Sequence, residues 1–151
     1  MNFSQYTQKL PELMDELKQQ PLRNRGDLKG IPKAGVYVFY KNGKPLYVGR
    51  SNRMKERILE HGRKGSGYCS AQFAFNLAKG LVGFEEKDRS LATRKEMESA
   101  PGFDKAFFLT KLEVAKMKVR VIDIEDQILQ ALFEIFAHLE LGTKYNDFKT
   151  H

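Results

Sequence analysis

Residues 35–61, GVYVFYKNGKPLYVGRSNRMKERILEH, decide the fold of this 151-residue chain. The run Val36 to Tyr40 consists of β-branched and aromatic residues, which predicts a strand buried on both faces. Asn42-Gly43 follows, and both residues tolerate the positive φ angles of a tight hairpin turn. Pro45 to Gly49 then predicts a second strand, so the stretch begins with a β-hairpin.

The hairpin leads directly into a predicted helix. Ser51 is a suitable N-cap, and Asn52 to His61 has the composition of a helix that ends at Gly62. Arg57 and His61 are four residues apart and therefore share one helix face. Because no linker separates the hairpin from this helix, side chains of both can converge at one edge of the sheet.

The rest of the chain adds helices and one more strand. Pro11 interrupts the apolar spacing near the start, so we expect a first helix at about residues 10–20. Lys118 to Ile124 alternates polar and apolar residues, which predicts a third strand. Further helices are predicted at Ala71–Lys79, Ser90–Ser99, Asp104–Met117 and Glu125–Leu141. We therefore predict a single α/β domain of the α+β type, in which helices flank a small central antiparallel sheet of about three strands and residues 63–117 form a helical insertion.

The last predicted helix is apolar on most of its circumference. Its main apolar stripe comprises Ile128, Leu129, Leu132, Ile135, Phe136 and Leu139. A narrow polar stripe lies opposite, formed by Gln127, Gln130, Glu134 and His138. This pattern predicts a helix packed between layers, with the Glu134 stripe facing solvent or lining a cleft.

Composition bounds the class of protein. Apolar residues make up 41% and charged residues 30%, as in soluble globular domains. No apolar run has membrane-spanning length, and the N-terminus lacks the apolar core of a secretory signal. The single cysteine, Cys69, excludes an internal disulfide. These features fit a cytoplasmic protein without a membrane partner.

The net charge of +7 is unevenly distributed. Residues 21–64 hold twelve lysines and arginines against three acids, a local charge of +9, whereas the remainder holds fourteen against sixteen, or −2. The basic surplus therefore surrounds the hairpin and its helix, which favours a polyanionic partner there.

The spacing of residues in this stretch resembles that of the GIY-YIG nuclease family. Gly35-Val36-Tyr37 corresponds to the first triplet and Tyr47-Val48-Gly49 to the second, with valine in place of isoleucine in both. In that family an arginine lies ten residues after the second tyrosine, and a histidine or tyrosine lies fourteen after it. Arg57 and His61 stand at these two positions.

A later carboxylate also matches the family pattern. The family places it on a helix, twelve residues before the asparagine of a Tyr-Asn pair. Here Tyr145-Asn146 supplies the pair, and Glu134 lies twelve residues before Asn146. The resemblance covers roughly residues 31–148, apart from the insertion.

The resemblance implies a role for each matched residue. Tyr37 would act as general base or orient the water, Tyr47 would position phosphate or water, and Arg57 would stabilise the developing negative charge. His61 would assist proton transfer or phosphate binding, and Glu134 would bind Mg²⁺ or Mn²⁺. One carboxylate suffices for such hard cations if the substrate phosphate completes the coordination. Gly35, Gly49 and Asn146 would be structural at the site.

We therefore expect a divalent-metal-dependent endonuclease that hydrolyses phosphodiester bonds in DNA, duplex or branched. Basic residues in and beside the motif are expected to bind the nucleic acid, namely Arg50, Arg53, Arg63 and Lys64. Three alternatives remain open: a nucleic-acid-binding module without turnover, an enzyme acting on RNA or on a non-nucleic-acid phosphodiester, and an interaction protein whose basic patch is incidental. Taken singly, each residue also fits a structural explanation, such as a core tyrosine or a solvated helix face. Oligomeric state and specificity are not predicted.

Overall fold

The computed structural model describes residues 1–82 and 101–149. Its elements in chain order are α1 (Phe3–Gln19), β1 (Gly35–Lys41), β2 (Lys44–Ser51), α2 (Met54–Gly62), α3 (Gln72–Leu81), α4 (Phe103–Lys116), β3 (Lys118–Asp123) and α5 (Gln127–Leu141). These elements confirm the predicted α+β class. The helix predicted at Ser90–Ser99 lies outside the described residues. No helix in the described ranges is long and apolar enough to cross a membrane.

The strands form an antiparallel sheet with the order β2-β1-β3. Asn42 and Gly43 connect β1 to β2 with φ angles of 53° and 76°, as the sequence predicted for a tight hairpin. In the resulting register Tyr37 lies opposite Gly49 on one side and Val121 on the other.

The chain divides into two compact units, Met1–Ile58 with Met117–His151, and Leu59–Lys116. The first contains the sheet, α1 and α5, and the second contains α3 and α4. The organisation as one domain with a helical insertion at about residues 63–117 stays a prediction.

The core of the first unit lies on the face of the sheet that α1 and α5 cover. Every second residue of β1 points into it, because successive side chains of a strand alternate between faces. The buried cluster comprises Leu10, Met14, Leu17, Val36, Val38, Tyr40, Val48, Ile122, Ile124, Leu129, Phe133 and Ala137. Tyr37 and Phe39 therefore point to the opposite face, where their rings meet edge to face at 5.8 Å.

Aromatic rings fill the second unit, in which α3 packs on α4. The ring of Tyr68 lies 4.8 Å from that of Phe107 and 5.2 Å from that of Phe75. Lys111 is buried beside them and donates to the carbonyl oxygens of Lys64 and Ser66 at 2.5 and 2.9 Å. Its ammonium group therefore fastens the turn after α2, and burial lowers its pKa.

The predicted start of α1 is wrong. The helix begins at Phe3 because Asn2 caps it: Asn2 accepts from the backbone N–H of Gln5, and the Gln5 side chain accepts from the Asn2 backbone. This capping box stabilises a start eight residues earlier than the position of Pro11. Pro11 lies inside the helix rather than at its first turn.

The predicted faces of α5 are also wrong. Its buried residues are Leu129, Gln130, Phe133 and Ala137. Three members of the predicted apolar stripe are exposed instead: Ile128 by 59%, Ile135 by 46% and Leu139 by 70%. The helix is thus not sandwiched between layers. Gln130 is tolerated inside because its amide donates to Ile124 O at 2.7 Å and to Asn52 Oδ1 at 3.0 Å.

The starts of α2 and α5 each lie two residues later than predicted. β2 continues to Ser51, so α2 begins at Met54 rather than Asn52. The Ser51 hydroxyl still accepts from the backbone N–H of Arg53 at 2.8 Å. Asp126 caps α5 by accepting from the N–H groups of Ile128 and Leu129, so this helix begins at Gln127 rather than Glu125.

Gly35→Ala should destabilise the sheet. A Cβ added at Gly35 would lie 1.9 Å from the carbonyl oxygen of Ile122, so β1 and β3 would have to separate. We expect a loss of about 3 kcal/mol in the free energy of unfolding, measured by urea denaturation. Gly26→Ala is the matched control, since an added Cβ there meets nothing within 4 Å. Equal stability of the two variants would contradict the described pairing at Gly35.

Candidate active site

Tyr37 and Gly49 fix the centre of the site by packing against each other across the hairpin. Tyr37 is 1% exposed. A Cβ added at Gly49 would lie 2.3 Å from both the Cζ and the hydroxyl oxygen of Tyr37. The phenol therefore lies directly on the backbone of β2, and only glycine leaves space for it. The glycine that ends the second triplet, Tyr47-Val48-Gly49, is thus required for steric reasons.

Arg57 reaches the Tyr37 phenol from α2 and hydrogen-bonds to it. Burial raises the pKa of Tyr37 well above its ordinary value, and the negative charges of an ionised Tyr47 and of Glu134 raise it further. Arg57 opposes these effects through its positive charge and its hydrogen bond. The dependence on all three partners shows that they lie within electrostatic range of Tyr37.

Tyr47 is the second buried phenol of this group. It is 9% exposed, and burial raises its pKa to about 12. Arg57 lowers that pKa and Glu134 raises it. Both Tyr37 and Tyr47 are therefore neutral at neutral pH, and each can donate and accept hydrogen bonds.

Glu134 contributes the carboxylate from α5. Its side chain is 21% exposed, and its Oε2 accepts from the Nε of Arg50 at 3.1 Å. Burial raises the pKa of Glu134, while the charge and hydrogen bond of Arg50 lower it. The carboxylate is thus partly withdrawn from water and held by one cation.

The structure therefore brings together four of the predicted residues, Tyr37, Tyr47, Arg57 and Glu134. They come from β1, β2, α2 and α5, and they span most of the chain length. His61 lies one turn beyond Arg57 on α2 and is fully buried. It falls in the second compact unit, so its role stays a prediction.

Asn146 binds the edge of β2 beside Tyr47. Its Oδ1 accepts from the N–H of Val48 at 2.9 Å, and its Nδ2 donates to the Val48 carbonyl at 2.7 Å. The N–H of Tyr145 also donates to the carbonyl of Leu46 at 3.2 Å. The segment after α5 thereby pairs with an edge that no strand covers in the described sheet. We call residues 143–146 the C-terminal strap.

Two further side chains hold Asn146 in place. The Thr143 hydroxyl lies 2.9 Å from Asn146 Oδ1 and 2.7 Å from His138 Nδ1. Oδ1 carries no hydrogen, so the single hydroxyl hydrogen points to Asn146 and the Nδ1 of His138 must be the donor to Thr143. This chain of bonds fixes the tautomer of His138 and connects α5 to β2.

The predicted nucleic-acid-binding residues occupy different environments. Arg50 pairs with Glu134, and Arg53 pairs with Glu56 on the exposed side of α2. Arg63 and Lys64 are exposed in the second unit, on the turn that Lys111 fastens. Their contact with nucleic acid stays a prediction.

A metal would depend on Glu134 together with the substrate. Within residues 1–82 and 101–149, no three histidine, cysteine, aspartate or glutamate side chains are placed to hold an ion by themselves. A single carboxylate still fits Mg²⁺ or Mn²⁺, which retain waters and accept phosphate oxygens as ligands. The donor set is therefore compatible with a cation that binds mainly with substrate.

Sequence reasoning missed the pairs that surround the matched residues. Arg50 was predicted to bind nucleic acid, but its contact with Glu134 spans 84 positions and has no local signal. The contacts of Gln130 with Asn52 and of His138 with Thr143 were missed as well. Gln130 and His138 lie on a mostly apolar helix, and a polar residue in such a helix indicates a hydrogen-bond partner when it is buried.

Comparison with known proteins gives two partial similarities. Residues of this chain are 33% identical over 67 positions to the UvrABC system protein C of Aquifex aeolicus, covering 44% of this chain and 11% of that protein. They are 40% identical over 40 positions to the UvrABC system protein C of Deinococcus radiodurans, covering 26% of this chain and 6% of that protein. The matches thus span about a tenth or less of these relatives. No family model matches the chain, and no solved structure does.

Thr143→Val should weaken the C-terminal strap. Thr143 is 2% exposed, so water does not replace its hydroxyl. Loss of that hydroxyl leaves the Nδ1–H of His138 without its acceptor. We expect the free energy of unfolding, measured by urea denaturation, to fall by about 2 kcal/mol. Thr143→Ser keeps the hydroxyl and should retain most of that stability. A valine variant as stable as the unaltered protein would contradict this role of the hydroxyl, because valine keeps the methyl group and loses only the hydrogen bonds.

Proposed function

We propose that this protein is a divalent-metal-dependent endonuclease of the GIY-YIG type that hydrolyses phosphodiester bonds in DNA. The observation that supports the proposal best is the convergence of Tyr37, Tyr47, Arg57 and Glu134. These four residues are distant in sequence, yet each of the two phenols feels the charges of both Arg57 and Glu134. Structural roles alone do not require two buried phenols, a guanidinium and a carboxylate at one place.

The chemistry of phosphodiester hydrolysis matches what these groups can supply. The reaction needs an oriented water and neutralisation of the charge that develops on the phosphoryl oxygens. Tyr37 and Tyr47 stay protonated at neutral pH, which favours a role in orienting water over direct proton removal by a phenolate. Arg57, already aimed at Tyr37, provides the positive charge next to that water.

Glu134 is the residue that would hold Mg²⁺ or Mn²⁺. When bound there, such a cation polarises a phosphoryl oxygen and lowers the pKa of a water ligand. Partial burial strengthens the attraction of this carboxylate for a cation, because the local dielectric is lower than in water. His61 would assist proton transfer or phosphate binding, as the family resemblance implies.

Two observations favour DNA as the substrate. The excess positive charge lies around the hairpin and α2, which fits a polyanion. The two partial matches to UvrABC system protein C point towards the same nuclease family and towards DNA. The basic residues Arg53, Arg63 and Lys64 would then contact the phosphate backbone.

Glu134→Gln should abolish metal-dependent cleavage while leaving DNA binding in the presence of chelator largely intact. The amide keeps the shape of the side chain but loses the charge that would bind the cation. Supercoiled plasmid incubated with Mg²⁺, with Mn²⁺ or with chelator provides the assay. Glu140→Gln is the matched control, because Glu140 is exposed on the same helix.

The plasmid assay also separates the alternatives. Cleavage by the Glu134→Gln variant would refute the assignment of this residue as the metal ligand. Binding of plasmid without cleavage, in either metal, by the unaltered protein would favour a binding module without turnover. Cleavage of structured RNA in preference to every DNA form would refute the choice of substrate.

Tyr37→Phe should reduce the cleavage rate by roughly 10²–10⁴-fold, the usual contribution of one positioned proton-transfer or water-orienting group. The ring still packs on Gly49, so the fold should be unaffected. Tyr40→Phe tests a neighbouring strand residue that points into the core on the other face. Single-turnover cleavage rates of the two variants provide the comparison. Similar rates for both would mean that the Tyr37 hydroxyl takes no part in the reaction.

A further inference from the structure

The carboxylate of Glu134 is already occupied by a cation of the protein itself. Arg50 Nε donates to Glu134 Oε2 at 3.1 Å, and Arg50 is the residue that offsets the burial of this carboxylate. The side chain of Arg50 is 43% exposed, twice the exposure of its partner. A half-exposed arginine thus pairs with a more deeply buried carboxylate.

This pair differs from the ordinary ion pair nearby. Arg53 and Glu56 are 60% and 63% exposed and are three residues apart, close to one turn of α2. Such pairs contribute little to stability, and the water around them replaces either partner easily. Glu134 is far less exposed, so removing Arg50 without a replacement leaves a carboxylate that burial penalises.

A divalent cation and Arg50 compete for the same anion. Two positive groups on one carboxylate repel each other strongly where water is partly excluded. The contact uses only the Nε of Arg50, and its terminal nitrogens carry further N–H donors that match phosphate oxygens. A phosphate placed beside Glu134 therefore gives Arg50 another partner and frees the carboxylate.

We propose that Arg50 is a substrate-operated guard of Glu134, which holds the carboxylate in the free protein and transfers to a DNA phosphate when the substrate binds. This proposal rests on the proposed function and extends it to the order of binding. Divalent cations then bind weakly to the free protein and tightly to the DNA complex. The coupling is reciprocal, so the cation must also strengthen DNA binding.

Metal binding without DNA tests the guard directly. Free Mn²⁺ can be measured by electron paramagnetic resonance during titration of the unaltered protein, Arg50→Gln, Arg53→Gln and Glu134→Gln. We expect Arg50→Gln to bind Mn²⁺ about tenfold more tightly than the unaltered protein. Arg53→Gln removes the same charge three residues away and should change the affinity much less. Glu134→Gln should lose the binding seen with Arg50→Gln.

DNA binding in the presence of chelator provides the second arm. Arg50→Gln should bind a short synthetic duplex more weakly than the unaltered protein, because a phosphate contact is lost. The side-chain Nε–H signal of Arg50 in nitrogen-15 NMR should shift when the duplex is added, and the same signal should shift in Glu134→Gln without DNA. Circular dichroism melting checks that both variants fold.

Each outcome bears on the guard. Equal Mn²⁺ affinity of the unaltered protein and Arg50→Gln, with binding abolished by Glu134→Gln, overturns the guard and leaves the nuclease proposal standing. Equal gains in Arg50→Gln and Arg53→Gln also overturn it, since net charge then explains the effect. Failure of every variant to bind Mn²⁺ overturns the guard, and the plasmid assay then decides the nuclease proposal separately.

Discussion

The packing of the Tyr37 ring on the backbone of Gly49 is the contact on which the rest of the site depends. It requires glycine at one position of β2 and fixes which residue of β1 lies opposite, because an added Cβ would overlap the ring at 2.3 Å. A slip of the hairpin by one residue would move Tyr37 to the face covered by α1 and α5. The register therefore decides whether the phenol meets Arg57 or the apolar core. Gly35 acts in the same way on the other neighbour, where its lack of a side chain lets β1 approach the Ile122 carbonyl of β3.

Burial then determines the charge state of the groups that this register brings together. Tyr37, Tyr47 and Glu134 all have raised pKa values, and burial is the largest cause for each. The protein offsets the burial with two arginines rather than lysines. Arginine keeps its proton under desolvation and offers a planar set of donors for carboxylate and phosphate. Arg57 lowers the pKa of both tyrosines, and Arg50 binds the carboxylate of Glu134. Each arginine thus interacts with a different kind of oxygen.

The hairpin and the helix after it could be predicted from the sequence because they depend on local rules, and the proximity of Arg57 to the two tyrosines follows from fixed spacing. Asn42-Gly43 determines the hairpin turn by itself. Arg57 lies ten residues after Tyr47, and this separation is spanned by the end of β2 and the first turn of α2. The faces of α5 could not be predicted in the same way. Apolar residues occur on most sides of α5 itself, so the periodicity of its sequence does not indicate which side is buried. The buried side includes Gln130, whose partners Asn52 and Ile124 come from two other parts of the chain. The start of α1 could not be predicted from Pro11, because the capping box of Asn2 and Gln5 begins the helix eight residues earlier.

The C-terminal strap connects β2, which carries Tyr47, with α5, which carries Glu134. β2 is an edge strand of the described sheet, and an uncovered edge offers its N–H and C=O groups to other chains. Asn146 satisfies both groups of Val48, between Tyr47 and Gly49, with one side chain. The strap begins where Gly142 ends α5 in a left-handed conformation, and Thr143 joins it to His138 one turn beyond Glu134. The position of the carboxylate helix is therefore fixed relative to the strand that carries Tyr47. An asparagine fits this position because a side-chain amide offers an acceptor and a donor in the spacing of a backbone peptide. Through Thr143 and His138 it holds the strand that carries Tyr47 to the helix that carries Glu134.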